Sequence, residues 1–237
     1  MIPENKYLYL WINFFVIIIP LIRSFEPRIA FYKSYKALGQ AMLITSGFFL
    51  VWDVIFTHKG VWAFNDHYIS GFKILGLPIE EYLFFITIPY ACLFIYRTLN
   101  LFVTKDILAP YTKNISNFLI GFSFALAAIY YDRWYTLTTF GLLGLFLSYL
   151  QYREKPNWLG RFYLAYLVCL LPFFVVNGIL TGTGIADEVV WYNDLENIRI
   201  RIKTIPLEDI FYGMLLVLGT TFWYERFLPS TSNQKAK

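Results

Sequence analysis

Apolar residues run through this chain in long, nearly unbroken stretches, separated by shorter segments that hold most of the charge. Seven stretches approach or reach the length a helix needs to cross a hydrocarbon core, about 20 residues. They are 7–22, 37–57, 79–96, 117–131, 134–152, 159–180 and 207–224, the fourth being the weakest of them. The pattern predicts an all-α, multi-pass transmembrane bundle of seven helices. The first stretch is preceded by Lys6 alone as a basic side chain and is followed by no small-residue cleavage site, so it is expected to be retained as a helix.

A second regularity lies on top of the first. Adding 128 to a position in the first half takes Asn65 to Asn193, Asp66 to Asp194, Pro78 to Pro206, Glu80 to Glu208 and Glu81 to Asp209. The segment "LPIEEYLFF" from Leu77 to Phe85 therefore has a counterpart in "IPLEDIFYG" from Ile205 to Gly213, and "VWAFND" at Val61 faces "VVWYND" at Val189. The expected organisation is a three-helix repeat over 1–100, a linker with the fourth helix over 101–133, a second three-helix repeat over 134–228, and a polar tail over 229–237. One linker helix between two three-helix units makes the repeats parallel, which brings both acidic segments to the same membrane face.

Composition supports the lipid setting. The hydrophobic fraction is 58%, the aromatic fraction 21% and the mean hydropathy +0.52, more than one soluble core requires. The net charge of +4 comes from Lys and Arg between the stretches, where topology and lipid head groups account for it and no nucleic-acid site is implied. Thirteen of the 20 Lys and Arg lie on the side of the C-terminus. The positive-inside rule accordingly puts the C-terminus in the cytoplasm and the loops after the second, fourth and sixth stretches outside. Cys92 and Cys169 both fall within apolar stretches, which argues for core filling over a disulfide or a metal site.

Within each repeat, proline suits the start of a helix, and the acid pairs fall in the first turn, where the helix dipole favours negative charge. Single acids there are ordinary caps. Four acids in two copies of an apolar segment invite a chemical explanation, because an intramembrane carboxylate costs on the order of 2.5 to 3.5 kcal/mol. Neighbouring carboxyls in low dielectric resist ionising together, so a cluster of Glu80, Glu81, Glu208 and Asp209 would hold both protonated and ionised members. Successive helical residues point about 100° apart, and so one acid per pair is expected to face its counterpart.

A cluster of that kind can donate a proton to an alkene and then stabilise the carbocation that results. Aromatic residues crowd the two acidic segments: Trp52, Trp62, Phe64, Tyr82, Phe84, Phe85, Trp191, Tyr192, Phe211 and Tyr212. Desolvated ring faces stabilise cations by roughly 0.5 to 2 kcal/mol each, although any one of these rings is equally at home in an interfacial belt. Asp53 and Asn177 are candidates to hydrogen-bond the acids. Asn65, Asp66, Asn193 and Asp194 fit either a lid or turns.

These segments resemble the flavin-independent lycopene cyclases of the small membrane type, which occur as two-subunit enzymes and as fused forms. The resemblance rests on "GLPIEEYLFF" at Gly76, "IPLEDIFYGM" at Ile205, the "WAFND" and "WYND" loops and the duplicated three-helix plan. It implies an integral protein of a bacterial cytoplasmic membrane without a redox cofactor, which cyclises the linear ψ-ends of lycopene or a related carotene to β-ionone rings. It places the catalytic acids among Glu80, Glu81, Glu208 and Asp209. It also leaves room for association with other enzymes of carotenoid synthesis. The implied reaction is an isomerisation: a carboxylic acid protonates the terminal double bond, the neighbouring alkene attacks the tertiary cation, and a carboxylate or water removes a ring proton.

Other signals are thin. His58 and His67 are the two histidines of the chain and share one loop region, which argues against a metal site. "GTG" at Gly182 lacks the third glycine of a dinucleotide loop and opens no helix. "NIS" at Asn114 falls on the cytoplasmic side of the expected topology. Two rival functions fit the same pattern, a carotenoid hydratase or other carbocation-forming isoprenoid enzyme, and a small transporter built from parallel repeats. A hydratase would add the mass of water to its product, and the spaced aspartates that hold Mg²⁺ and pyrophosphate in prenyl transfer are lacking.

Overall fold

A computed structural model describes residues 6–229. Among these residues are seven α-helices: α1 (Leu8–Arg23), α2 (Tyr35–His58), α3 (Ile79–Phe102), α4 (Thr112–Ile129), α5 (Trp134–Ser148), α6 (Leu159–Leu180) and α7 (Leu207–Phe227). The polar tail expected over 229–237 lies, apart from its first residue, outside the described residues. By length and composition, α3, α6 and the segment Phe31–His58 that contains α2 are able to cross a membrane, while α1 is apolar but shorter. The helix α7 carries Glu208 and Asp209 at its start and Glu225 and Arg226 at its end, which dilutes its apolar character. Large apolar side chains such as Phe15, Leu43, Phe118 and Leu171 point outward from the bundle.

Prolines do not break these helices. Pro20, Pro89 and Pro172 lie inside α1, α3 and α6, which continue past them. Pro78 and Pro206 stand at the N-caps of α3 and α7, one place before the first helical residue. Their extended ψ angles of 149° and 141° turn the chain from strand into helix, and each acid pair follows within the first turn.

The loops before α3 and α7 are more ordered than their polar sequences suggest. Each contributes a short hairpin, β2 (Lys73–Ile74) with β3 (Leu77–Pro78) and β5 (Arg201–Ile202) with β6 (Ile205–Pro206). In the first hairpin Leu75 and Gly76 both have positive φ, 52° and 85°, as a two-residue type I′ connection demands. Ahead of the hairpins, β1 (Trp62–Phe64) pairs antiparallel with β4 (Val190–Tyr192), so that the two repeats are tied together across one ribbon. Both loops therefore lie on one face of the bundle, and the repeats are parallel, as the odd linker helix requires.

Helix packing interlocks the two repeats. The first helix of each repeat packs on its own third helix, α1 on α3 and α5 on α7, whereas the second helix packs on the third helix of the other repeat, α2 on α7 and α6 on α3. The third helices meet one another at the centre. Close approach of α2 and α7 uses Gly219, where a Cβ would lie 3.0 Å from Thr45 Cγ2; a small residue at such a crossing lets backbones approach. The linker helix α4 packs on α5 and closes that side of the second repeat through Phe122, which contacts Phe140 and Phe211.

Candidate active site

The central contact of α3 with α7 sets the first turns of both helices beside the β1–β4 ribbon. There they form the head of a cavity of about 460 Å³, within the usual range of small-molecule sites. Its polar head is lined by Glu81, Asp209, Asp53, Asn177, Tyr9, Tyr135 and Tyr192. Its body is apolar and runs down between α1, α3, α6 and α7, past Ile88, Cys92, Cys169 and Leu216. Phe15 and Ile19 of α1 and Val175 of α6 line the cavity and are also 63 to 67% exposed on the outside. The cavity therefore opens sideways between α1 and α6.

The four duplicated acids divide into two kinds. Glu80 and Glu208 are fully buried and do not reach the cavity. Each uses one oxygen to accept a backbone N–H from its own loop, Ser70 to Glu80 Oε1 at 2.7 Å and Ile198 to Glu208 Oε1 at 2.8 Å, and Ser70 and Ile198 are themselves 128 residues apart. Thr136 adds a 2.6 Å bond to Glu208. These acids fasten loop to helix, in the manner of caps. Glu81 and Asp209, one residue further along, point into the cavity.

The two cavity acids differ in their surroundings. Asp209 accepts from Tyr135 at 2.6 Å on Oδ1 and from Asn177 at 2.6 Å and Tyr192 at 3.0 Å on Oδ2. Glu81 accepts from Tyr9, whose hydroxyl is 2.5 Å from Oε2. Asp53 stands on α2, where its Oδ1 accepts the Trp62 indole N–H at 2.5 Å. None of the four ion pairs among the described residues involves a cavity acid. Hydroxyl, amide and indole donors, without any fixed positive charge, surround the carboxyls.

Of the rings clustered in sequence around the acids, Trp62, Phe64, Phe84, Tyr192 and Tyr212 line the cavity. Trp62 meets Tyr135 at 5.2 Å and Tyr212 at 6.1 Å between centroids, and Tyr135 stacks on Tyr192 at 5.8 Å. The others do not reach it. Trp52 packs behind Tyr212 at 5.1 Å, Phe85 is in the core against Phe49, and Phe211 packs on Phe140 beneath α4. Tyr82 donates to the Ile74 carbonyl on the outside, and Trp191 is 46% exposed on the ribbon.

Asn65 and Asn193 are clasps and not a lid. Each accepts a backbone N–H two residues ahead, from His67 and Leu195, and donates from Nδ2 to the opposite loop, to Glu188 O at 3.2 Å and Gly60 O at 3.3 Å. Asp66 and Asp194 form exposed ion pairs with Lys73 and Arg201. The hydrogen bond and charge of Arg201 hold the Asp194 carboxyl below its usual range.

Sequence reasoning passed over Tyr9, Tyr135 and Tyr166. Tyr9 and Tyr135 serve the two repeats in the same way but are 126 residues apart, so the 128-residue register conceals their correspondence. Tyr166 donates to the Ile210 carbonyl beside Asp209. Comparison with curated proteins and with solved structures gives no match. The profile described as lycopene cyclase matches residues 6–99 and 132–227, two segments that cover most of the chain and coincide with the two halves meeting at the cavity. By that match, the chain belongs to the lycopene cyclase family.

Proposed function

We propose that this chain is an integral membrane lycopene β-cyclase that closes the ψ-ends of an acyclic carotene by proton-initiated, redox-neutral isomerisation. Family membership makes it an enzyme of carotenoid synthesis acting on a carotene. The finer assignment rests on one observation: Glu81 and Asp209 head a single apolar cavity with very different hydrogen-bond support. Three donors suit Asp209 to hold a negative charge. One donor, in a site that already contains two other carboxyls, suits Glu81 to keep a proton.

In this mechanism an isoprenoid end slides sideways between α1 and α6 until its terminal double bond lies beside Glu81. Proton transfer from Glu81 creates a tertiary cation, and the internal alkene attacks it to close the ring. The Asp209 carboxylate and the faces of Trp62, Tyr135, Tyr192 and Tyr212 stabilise the positive charge, the rings by roughly 0.5 to 2 kcal/mol each. The apolar wall keeps water from capturing the cation. In the proposed topology, residues 1–100 and 134–228 are the two repeats, 101–133 is the linker, and the acids lie toward the outer face with the C-terminus in the cytoplasm.

Expression of the chain in cells that accumulate lycopene tests the proposal, with pigments resolved by chromatography and mass. Monocyclic or bicyclic products of unchanged mass are expected. Unchanged lycopene, with the folded chain present in the membrane, overturns the assignment, and products heavier by water turn it into a hydratase.

A further inference from the structure

The third carboxyl in the cavity, Asp53, is matched in the other repeat by an amide and not by an acid. The Val61 N–H donates to the Phe56 carbonyl and the equivalent Val189 N–H to the Leu180 carbonyl, so α2 and α6 run 124 residues apart and the counterpart of Asp53 is Asn177, whose amide lines the cavity and donates to Asp209. Duplication of the acidic segment therefore does not account for Asp53. It is 2% exposed and lies on the cavity wall. Its Oδ1 is held by Trp62 at 2.5 Å, with a long contact from Thr57 at 3.5 Å, while Oδ2 is buried without a hydrogen-bond partner among the described residues. Buried polar atoms usually find a partner; the Oε2 atoms of Glu80 and Glu208 also lack one, but they lie off the cavity, whereas Asp53 lines it. Both oxygens of Asp209, by contrast, are already engaged by three donors.

Ring closure needs more than an acid. Once the ring has formed, its cation is flanked by three kinds of C–H bond: the ring carbon that bears the polyene arm, a ring methylene and a methyl group. Loss of a proton from each gives a different ring double bond. The base that takes it, and where that base is fixed, decides the isomer.

We infer that Asp53 is this base and that its anchoring by Trp62 selects the ring isomer. The inference rests on the proton-initiated cyclase proposed above. The atoms balance. The O–H bond of Glu81 breaks as a C–H bond forms at the terminal alkene, and the π pair of the internal alkene becomes the ring-closing C–C bond. A C–H bond next to the ring cation then breaks, its electron pair becomes the ring double bond, and the proton passes to Asp53 Oδ2. Asp53 ends one proton richer and Glu81 one proton poorer, the donated proton staying in the product, and transfer of a proton from Asp53 to Glu81 resets the site.

The test compares Asp53→Asn and Asp53→Glu with Glu81→Gln in full-length chain expressed in lycopene-accumulating cells. Membrane levels are followed by immunoblot, and ring isomers by chromatography and NMR. Asp53→Asn is expected to lower ring formation by at least about a hundredfold, the range of a lost acid–base group. Asp53→Glu, which moves the carboxylate by one methylene, is expected to retain cyclisation but change the proportions of the ring isomers. Wild-type turnover and ring composition in Asp53→Asn, with Glu81→Gln inactive, overturns the role of Asp53 and leaves the cyclase proposal standing. If Asp53→Asn fails to accumulate in the membrane, the ring composition of Asp53→Glu decides, and an unchanged composition overturns the inference. Full activity in Glu81→Gln instead removes the acid-initiated mechanism itself.

Discussion

Ala63 and Trp191 occupy equivalent places in the two repeats, 128 residues apart, and are paired with each other at the centre of the β1–β4 ribbon. Only a local two-fold axis passing between them can pair a position with its own repeat. The same relation makes Trp62 face Tyr192 and Phe64 face Val190, and it puts Asn65 and Asn193 in mirrored roles, each donating into the opposite loop. The axis runs through the head of the cavity, so symmetry delivers one acid from each side.

The clasping asparagines should then contribute alike. Asn65→Ala and Asn193→Ala are each expected to lower stability by about 1 kcal/mol, the net worth of a hydrogen bond. Thermal unfolding of detergent-solubilised chain measures this. Effects of clearly unequal size would mean that the ribbon is not shared evenly between the loops.

Separation of the acids into cavity and loop groups predicts opposite phenotypes for adjacent residues. Glu81→Gln and Asp209→Asn should lower turnover by about a hundredfold or more with normal membrane levels. Glu80→Gln and Glu208→Gln should instead lower thermal stability while turnover per folded chain stays within a few-fold of wild type. Pigment extraction normalised to immunoblot distinguishes the two patterns.

Much of this arrangement is written in the chain, and the remainder is hidden for definable reasons. The 128-residue offset of Pro78, Glu80 and Glu81 against Pro206, Glu208 and Asp209 shows the duplication, and the single odd helix α4 shows that the repeats are parallel. Which member of each acid pair faces inward is not legible, because adjacent helical residues differ by about 100° and only the neighbouring helices fix the rotation. Which rings line the cavity is hidden for a related reason: local density around an acid does not reveal that Phe211 turns toward α4 or that Tyr82 turns outward. The ribbon between the loops is not legible either, because its order comes from pairing across the axis, a contact between residues more than 120 positions apart.

The donors around Asp209 give a graded series. Tyr135→Phe, Tyr192→Phe and Asn177→Leu each remove one hydrogen bond from the carboxylate. Bonds to charged groups are worth about 1.5 to 3 kcal/mol, so each change should lower kcat by roughly ten- to a hundredfold. Single-turnover assays in membranes would record it. A loss seen in KM with kcat untouched would assign these side chains to binding alone.

The sideways opening makes a prediction about access. Ile19→Trp and Val175→Trp add bulk on the two helices that flank the gap. KM for the long carotene should rise while kcat changes little, the signature of lost uniform binding. Equal activity in both variants would place the route of admission elsewhere.

The exchange of partners among the helices, α2 against α7 and α6 against α3, has an implication for ancestry as well as for architecture. Neither half encloses the chamber without help from its sibling, so a single unit of this kind could form it only by pairing with a second copy. Fusion through α4 freed each copy to specialise, and the solitary aspartate of α2, with asparagine in its twin position, is a trace of that divergence.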